Sequence, residues 1–396
     1  MERRPERLVE SIFERLKVRA KGGKVPSLFQ AGVSSPSAQE APSTAHETPQ
    51  GAPSPKEPLI ARRYPIGLDI GARSVKWIQL GVMEGKTHLV ELGLKARQEE
   101  DLRQIVAQQG LSGQAVLCLP LEEVSLRLLK LPVLPEEEMG QAIRWQIEQT
   151  LPQGVSFEEF AMDYLALPEM GGSWESSVLV AMAPRQRVTK LVEEIKAAGL
   201  TPVAVEIEPF AVAALQIRFK QQGPEETVLL VHVGASSAWI SVVAKEQLVF
   251  SRTILTTDQS LTQAVVDHLR VPRQEAQTLK RAHGLLQSEE AKTVARALAS
   301  PLENMVVDIL HAFKSFSHQV AHAQIQRFDR VTLSGEGTQL PGLDQWLQSR
   351  MGVPVETMDP LGLFPWRDLP ADVQAFRQTS SQFAVAMGLA LREVPE

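Results

Sequence analysis

With one cysteine in 396 residues, this chain cannot form an internal disulfide. Cys118 lies in the apolar run Ala115-Val-Leu-Cys-Leu. That setting marks it as a core residue rather than a reactive thiol, and it fits a reducing compartment. No stretch approaches the roughly 18–20 apolar residues of a membrane span. The N-terminus carries charge but no apolar centre, which excludes a secretory signal. The formal net charge is −6, so there is no basic excess of the kind that nucleic acid selects. What the chain has is an ordinary hydrophobic fraction, 43%, and enough length for two or three domains with real cores.

The first 60 residues differ from the rest. In residues 1–24, Leu8, Ile12, Phe13 and Leu16 recur at helical spacing among eight Arg and Lys residues. This reads as a short basic amphipathic helix suited to an anionic lipid surface or a partner. The alternative is a frayed, solvated helix. Residues 25–60 carry Pro26, Pro36, Pro42, Pro49, Pro53, Pro55 and Pro58 among Ser, Ala, Thr and Gln. Such a composition cannot build a core and predicts a disordered linker.

From about Tyr64 onward, strand and helix patterns alternate. Strands are expected at 65–70, 75–81, 87–94, 115–119, 124–130, 160–167, 177–182 and 202–207, with helices at 135–150, 184–198 and 209–221. A second series follows, with strands at 227–233, 238–244, 247–254 and 330–334. Its helices fall at 257–269, 272–283, 289–326, 341–351 and 379–392. Strands first and helices after, twice over, is an α/β pattern. On helix 289–326, His311, His318 and His322 share one side, as a metal site would need. Leu310, Phe313, Phe316 and Val320 define the expected buried stripe, so the histidines read as a solvated polar face.

Three strand-to-turn junctions carry the chemistry. The first is Ile66-Gly-Leu-Asp-Ile-Gly-Ala-Arg-Ser-Val-Lys76. The second is Val228-Leu-Leu-Val-His-Val-Gly-Ala-Ser-Ser237, and the third is Val331-Thr-Leu-Ser-Gly-Glu-Gly337. A buried strand that breaks into Gly and Ser delivers backbone N–H groups to phosphate. Asp69, Gly71 and Ser74 suit a first phosphate loop, with Asp69 placed to hold Mg²⁺ through water. Gly234, Ala235, Ser236 and Ser237 suit a second loop clasping from the other side. Gly335 and Gly337 suit a turn where ribose and base approach the backbone. Read without function, these are three ordinary strand ends.

In order and spacing the three junctions resemble those of the actin-like ATPase superfamily, which includes actin, the Hsp70 ATPase domain, sugar kinases and FtsA. The closer resemblance is to the PilM family of type IV pilus assembly proteins. It spans about 64–392 and is carried also by Leu134-Pro-Glu-Glu-Glu-Met139 through Glu148-Gln-Thr-Leu-Pro152, by Val205-Glu-Ile-Glu-Pro-Phe-Ala211, by Leu340-Pro-Gly-Leu343 and by Phe383-Ala-Val-Ala-Met-Gly-Leu389. It implies an actin-like (ribonuclease H-like) two-lobed α/β fold with an inserted FtsA-like 1C (SHS2) subdomain at 115–202. Subdomain 1A would be 61–114, rejoined by 203–223 and 378–396. Subdomain 2A would be 224–257, rejoined by 328–377, and 2B would be 258–327. ATP and Mg²⁺ are the implied ligands, held by Asp69, Gly71, Ser74, Lys76, Gly234–Ser237, Gln277, Lys280, Gly335 and Gly337. The implied partner is a PilN-like single-span membrane protein, bound by its short cytoplasmic tail. The implied location is cytoplasmic, peripheral at the inner face of the membrane. Self-association and membrane contact by residues 1–24 are further partner readings.

Three positions depart from the family's pattern. His232 stands where the second loop normally carries Asp. Glu336 takes the middle place of a Gly-Gly-Gly turn. Gln277 replaces Glu in an Ala-Glu-x-x-Lys pattern, here Ala276-Gln-Thr-Leu-Lys280. An imidazole is a poor partner for hydrated Mg²⁺, so little or no turnover is expected at a site that still takes ATP. A site that has lost nucleotide altogether is the alternative. The function expected is a scaffold that recruits a membrane partner. An active ATPase or small-molecule kinase on the same fold, or an FtsA-like or GspL-like scaffold, are the competing readings.

Overall fold

The computed structural model describes residues 62–97, 101–167, 175–219, 223, 225–320, 324–366 and 375–394. The leader, the Pro-rich linker and His322 lie outside these.

The first half begins with β1 (Arg62–Arg63), β2 (Ile66–Ile70), β3 (Ser74–Met83) and β4 (Lys86–Ala96), followed by α1 (Leu102–Gln108) and β5 (Gly113–Leu119). Next come β6 (Ser125–Pro132), α2 (Glu136–Glu148), β7 (Phe160–Ala166), β8 (Glu175–Pro184), α3 (Arg185–Ala197), β9 (Leu200–Ile207) and α4 (Glu208–Phe219). The second half holds β10 (Val228–Val233), β11 (Ala238–Ala244), β12 (Gln247–Thr253), α5 (Asp258–Leu269), α6 (Arg273–His283) and α7 (Glu289–Gln319). It closes with β13 (Arg330–Ser334), α8 (Leu343–Met351), β14 (Val355–Thr357) and α9 (Ala384–Leu391).

Two sheets repeat one topology. In the first, the order β4-β3-β2-β5-β9 runs antiparallel, antiparallel, parallel, parallel, with β1 added beside β3. In the second, β12-β11-β10-β13-β14 has the same senses in the same order. The two central strands, β2 and β10, are buried nearly throughout. Buried on both faces, they read as continuous apolar runs rather than as alternations. Each ends in one of the Gly-Ser loops, so the repeat brings matching loops to matching places.

The parallel neighbours β5 and β9 are joined by a long crossover containing a third sheet, β6-β8-β7, antiparallel throughout. Met139, Ile143 and Ile147 of α2 pack on Val178, Val180 and Met182 of β8 in a small core of their own. The helix starts after Pro135 and repeats its apolar residues every fourth position, which places one stripe on the sheet.

Helix α9 is buried along its whole length, as expected of a helix apolar all round. It packs on β2 and α4. Glycines permit this approach: a Cβ on Gly67 would lie 2.1 Å from the Ala386 carbonyl oxygen, and one on Gly388 would lie 2.0 Å from that of Ala211.

Two expectations change. Leu310 is not in the buried stripe of α7; it is 49% exposed. The stripe runs through Leu302, Met305, Ile309, Ala312, Phe313 and Phe316, and Leu310 falls one position off it. His311 and His318 are exposed. The C-terminal helix starts later than 379, because Thr379 has non-helical backbone angles and residues 375–383 form 3₁₀ turns. Cys118 is buried as expected, and burial pushes its thiol well above the ordinary value.

Candidate functional site

The loops after β2 and β10 are built alike. Gly71 donates its N–H to the Ser74 carbonyl at 3.0 Å, and Gly234 donates to that of Ser237 at 2.8 Å. The turn after β13 lies against the end of β10. Gly335 has φ +91°, and a Cβ there would stand 2.5 Å from the Val233 carbonyl oxygen. No other residue tolerates that conformation and that approach.

These three loops converge on one cleft. Asp69, Gly71, Lys76, Gly234, Ala235, Ser236, Ser237 and Gly335 all line it. Ser74 reaches it only indirectly, its Oγ lying 3.4 Å from Glu336 Oε1. Gly337 packs toward Val233. Gln277 and Lys280 do not line the cleft. Gln277 is half-buried. Lys280 is buried and donates to the Asp258 carboxylate at 2.5 Å, to the Asp258 carbonyl at 2.9 Å and to Thr262 Oγ1 at 2.9 Å.

The departing residues occupy central positions. His232 is sealed between Trp239, stacked at 4.9 Å with a 9° interplanar angle, and Ser334, whose Oγ lies 3.0 Å from Nδ1. Burial, and then the charge of Lys76, pushes its pKa down to about 3. The ring is therefore neutral and supplies neither a carboxylate nor a cation. Glu336 enters the cleft from the second sheet's side. Its Oε1 lies 3.4 Å from Lys76 Nζ, and its Oε2 lies 3.8 Å from the Arg73 guanidinium. Lys76 also meets Asp69 at 3.4 Å. Burial opposes its charge, but the two carboxylates hold its ammonium above the ordinary lysine value.

Two residues with no role assigned from sequence complete the site. Arg73 bonds Asp258 at 2.9 Å across the cleft. Glu208, at the start of α4, accepts hydrogen bonds from Trp239 Nε1 at 3.1 Å and Ser237 Oγ at 3.4 Å. Burial first, then the charges of Asp69 and Glu122, push Glu208 up to about 8, so at neutral pH it is an acid rather than a base. Its place directly before Pro209, where a strand turns into a helix, was the available signal.

The free space left between these side chains is about 40 Å³, room for a few waters. With its cations already paired and its second carboxylate replaced by a neutral ring, this donor set does not fit Mg-ATP.

The family profile described as type IV pilus assembly protein PilM matches residues 95–394. Among solved structures, the chain is similar to one titled as a PilM-PilN type IV pilus biogenesis complex, at 23% identity, covering 84% of this chain and 99% of that one, with a TM-score of 0.71. It is also similar to the ethanolamine utilization protein EutJ from Carboxydothermus hydrogenoformans, at 14% identity over 85% and 91% of the two chains, with a TM-score of 0.49. For MreB 5 of Spiroplasma citri bound to AMPPNP the figures are 12%, 84% and 96%, and 0.48. The fold is actin-like, and the chain belongs to the PilM family of type IV pilus assembly proteins.

Proposed function

We propose that this protein is an assembly scaffold that takes the short cytoplasmic tail of a PilN-like single-span membrane protein and does not turn over ATP. In this reading it works at the inner face of the cytoplasmic membrane. The division into 1A (61–114, 203–223, 378–396), 1C (115–202), 2A (224–257, 328–377) and 2B (258–327) is part of the same proposal. The observation that carries it is the family match over 95–394, which takes in the small third sheet, the whole second repeat, and strands β5 and β9 of the first. The likeness to the PilM-PilN structure supports it. Among the described residues no helix is long and apolar enough to cross a membrane, so a membrane-anchored partner would supply the attachment.

The test is calorimetry of the full chain with a peptide copying the N-terminal tail of the PilN-like protein from the same source. Saturable one-to-one binding at about micromolar affinity is expected. A folded chain that ignores the peptide would overturn the partner reading. The enzyme reading is tested apart from it: brisk Mg²⁺-dependent hydrolysis, abolished in His232→Asp, would assign the imidazole an active role.

A further inference from the structure

Charged side chains in the cleft and just behind its wall form a single alternating series. Asp69 meets Lys76 at 3.4 Å, Lys76 meets Glu336 at 3.4 Å, and Glu336 meets Arg73 at 3.8 Å. Arg73 meets Asp258 at 2.9 Å, and Asp258 meets Lys280 at 2.5 Å. Three carboxylates and three cations cancel. The series also changes sides. Asp69, Arg73 and Lys76 belong to the first sheet and its loop, while Glu336, Asp258 and Lys280 come from the second half. Both contacts of Glu336 and the inner contact of Asp258 therefore tie one half of the molecule to the other. On the opposite wall, Ser237 and Trp239 of the second sheet bond Glu208 of the first half.

We propose that the cleft is held shut by its own side chains, with the Glu336 carboxylate standing in for the anionic ligand that Lys76, Arg73 and the Ser74 hydroxyl would otherwise hold. The argument is one of position and balance. A phosphate-bearing ligand bridging two such loops joins the halves through its negative charge, which the lysine of the first loop meets. Here a carboxylate on a 3₁₀ turn reaches that lysine from the far side. Lys76 and Glu336 are both buried, and a buried charge persists only when paired. A phosphate chain entering this cleft would have to expel Glu336 from two cations and leave it buried without either. The closed arrangement is thus intrinsic to the polypeptide, and joining the halves needs no nucleotide. The inference does not lean on the partner reading, since a shut cleft is compatible with any partner.

Thermal unfolding of the full chain tests it, with pyrophosphate and Mg-ATP as probes. The wild type is expected to melt at the same temperature with and without about 5 mM of either, because a ligand that binds only the folded state would raise it. Glu336→Gln keeps the shape and removes the charge, leaving Lys76 and Arg73 short of a partner. It should melt several degrees below wild type and regain part of that loss in pyrophosphate. Three results would overturn the inference: a wild type that Mg-ATP stabilises by several degrees, a Glu336→Gln variant that melts with wild type, or one that melts lower but ignores pyrophosphate. Should that variant fail to fold, the wild-type titration decides alone.

Discussion

Replacing Glu208 with glutamine separates shape from charge at the cleft wall. The amide keeps an acceptor for Trp239 Nε1 and Ser237 Oγ but cannot ionise. Glu208 is raised from an ordinary 4.5 to about 8, chiefly by burial. A carboxyl raised on folding keeps a proton that the unfolded chain has released. The stability it lends is complete below its unfolded value and is lost as pH climbs toward the folded one. At a limiting slope of about 1.4 kcal/mol per pH unit, wild type should lose about 2.5 kcal/mol through this group between about pH 5.5 and about pH 7.5. The residue is only 8% exposed, so solvent screening does not reduce the figure much. Glu208→Gln should therefore match wild type near pH 4 and exceed it by about 3 kcal/mol at neutral pH. Urea unfolding followed by circular dichroism at a series of pH values reads this directly. Groups common to both proteins cancel in the difference. Parallel pH curves, or a gap that widens toward acid, would refute the reasoning.

Three further outcomes are expected. Gly67→Ala and Gly388→Ala should each destabilise by about 3 kcal/mol, because their neighbours at 2.1 Å and 2.0 Å are backbone carbonyls that cannot swing aside; a gain in stability from either would mean α9 seats differently. Lys280→Met keeps the stem but strips the ammonium from Asp258 and Thr262. A loss of about 3 kcal/mol is expected, and an unchanged denaturant midpoint would show the pair to be ornamental. Trp239→Phe removes the indole donor to Glu208 and should cost about 2 kcal/mol, with no loss expected if that bond does not form in solution.

Where local pattern decides structure, the sequence was easily read. β10, β11 and β13 were bounded within a residue or so because each is a short apolar run ending in turn residues. The three loops were found for the same reason. Helix α1 was missed: its seven residues bury only Leu102, Ile105 and Val106, too short a period to register. Strand β14 has three residues and takes its identity from pairing with β13. At the site, the glycines were legible and the ion pairs were not. Arg73 lies inside the first motif, yet its partner Asp258 is 185 residues away, and nothing local announces that distance closing. Lys280 was assigned to the cleft by resemblance, whereas the structure commits all three of its bonds to α5 residues. Glu336 stood out only as a side chain in the middle of a glycine turn. That it would meet Lys76 and Arg73 required the fold.

The seat of α9 against β2 has a consequence for how the molecule is made. Residues near Gly67 leave the ribosome early, yet the backbone that covers them, at Ala386 and Ala390, arrives only after the whole second sheet. The β6-β8-β7 sheet is complete by Pro184 and the second five-stranded sheet by Thr357. The first sheet, although its strands are synthesised by Ile207, lacks its covering helix until Leu391. Domains fold as units as they emerge, and contacts of such long separation form last. The half of the molecule translated first is therefore finished last, and until then an apolar strand face waits for a segment still in the ribosome.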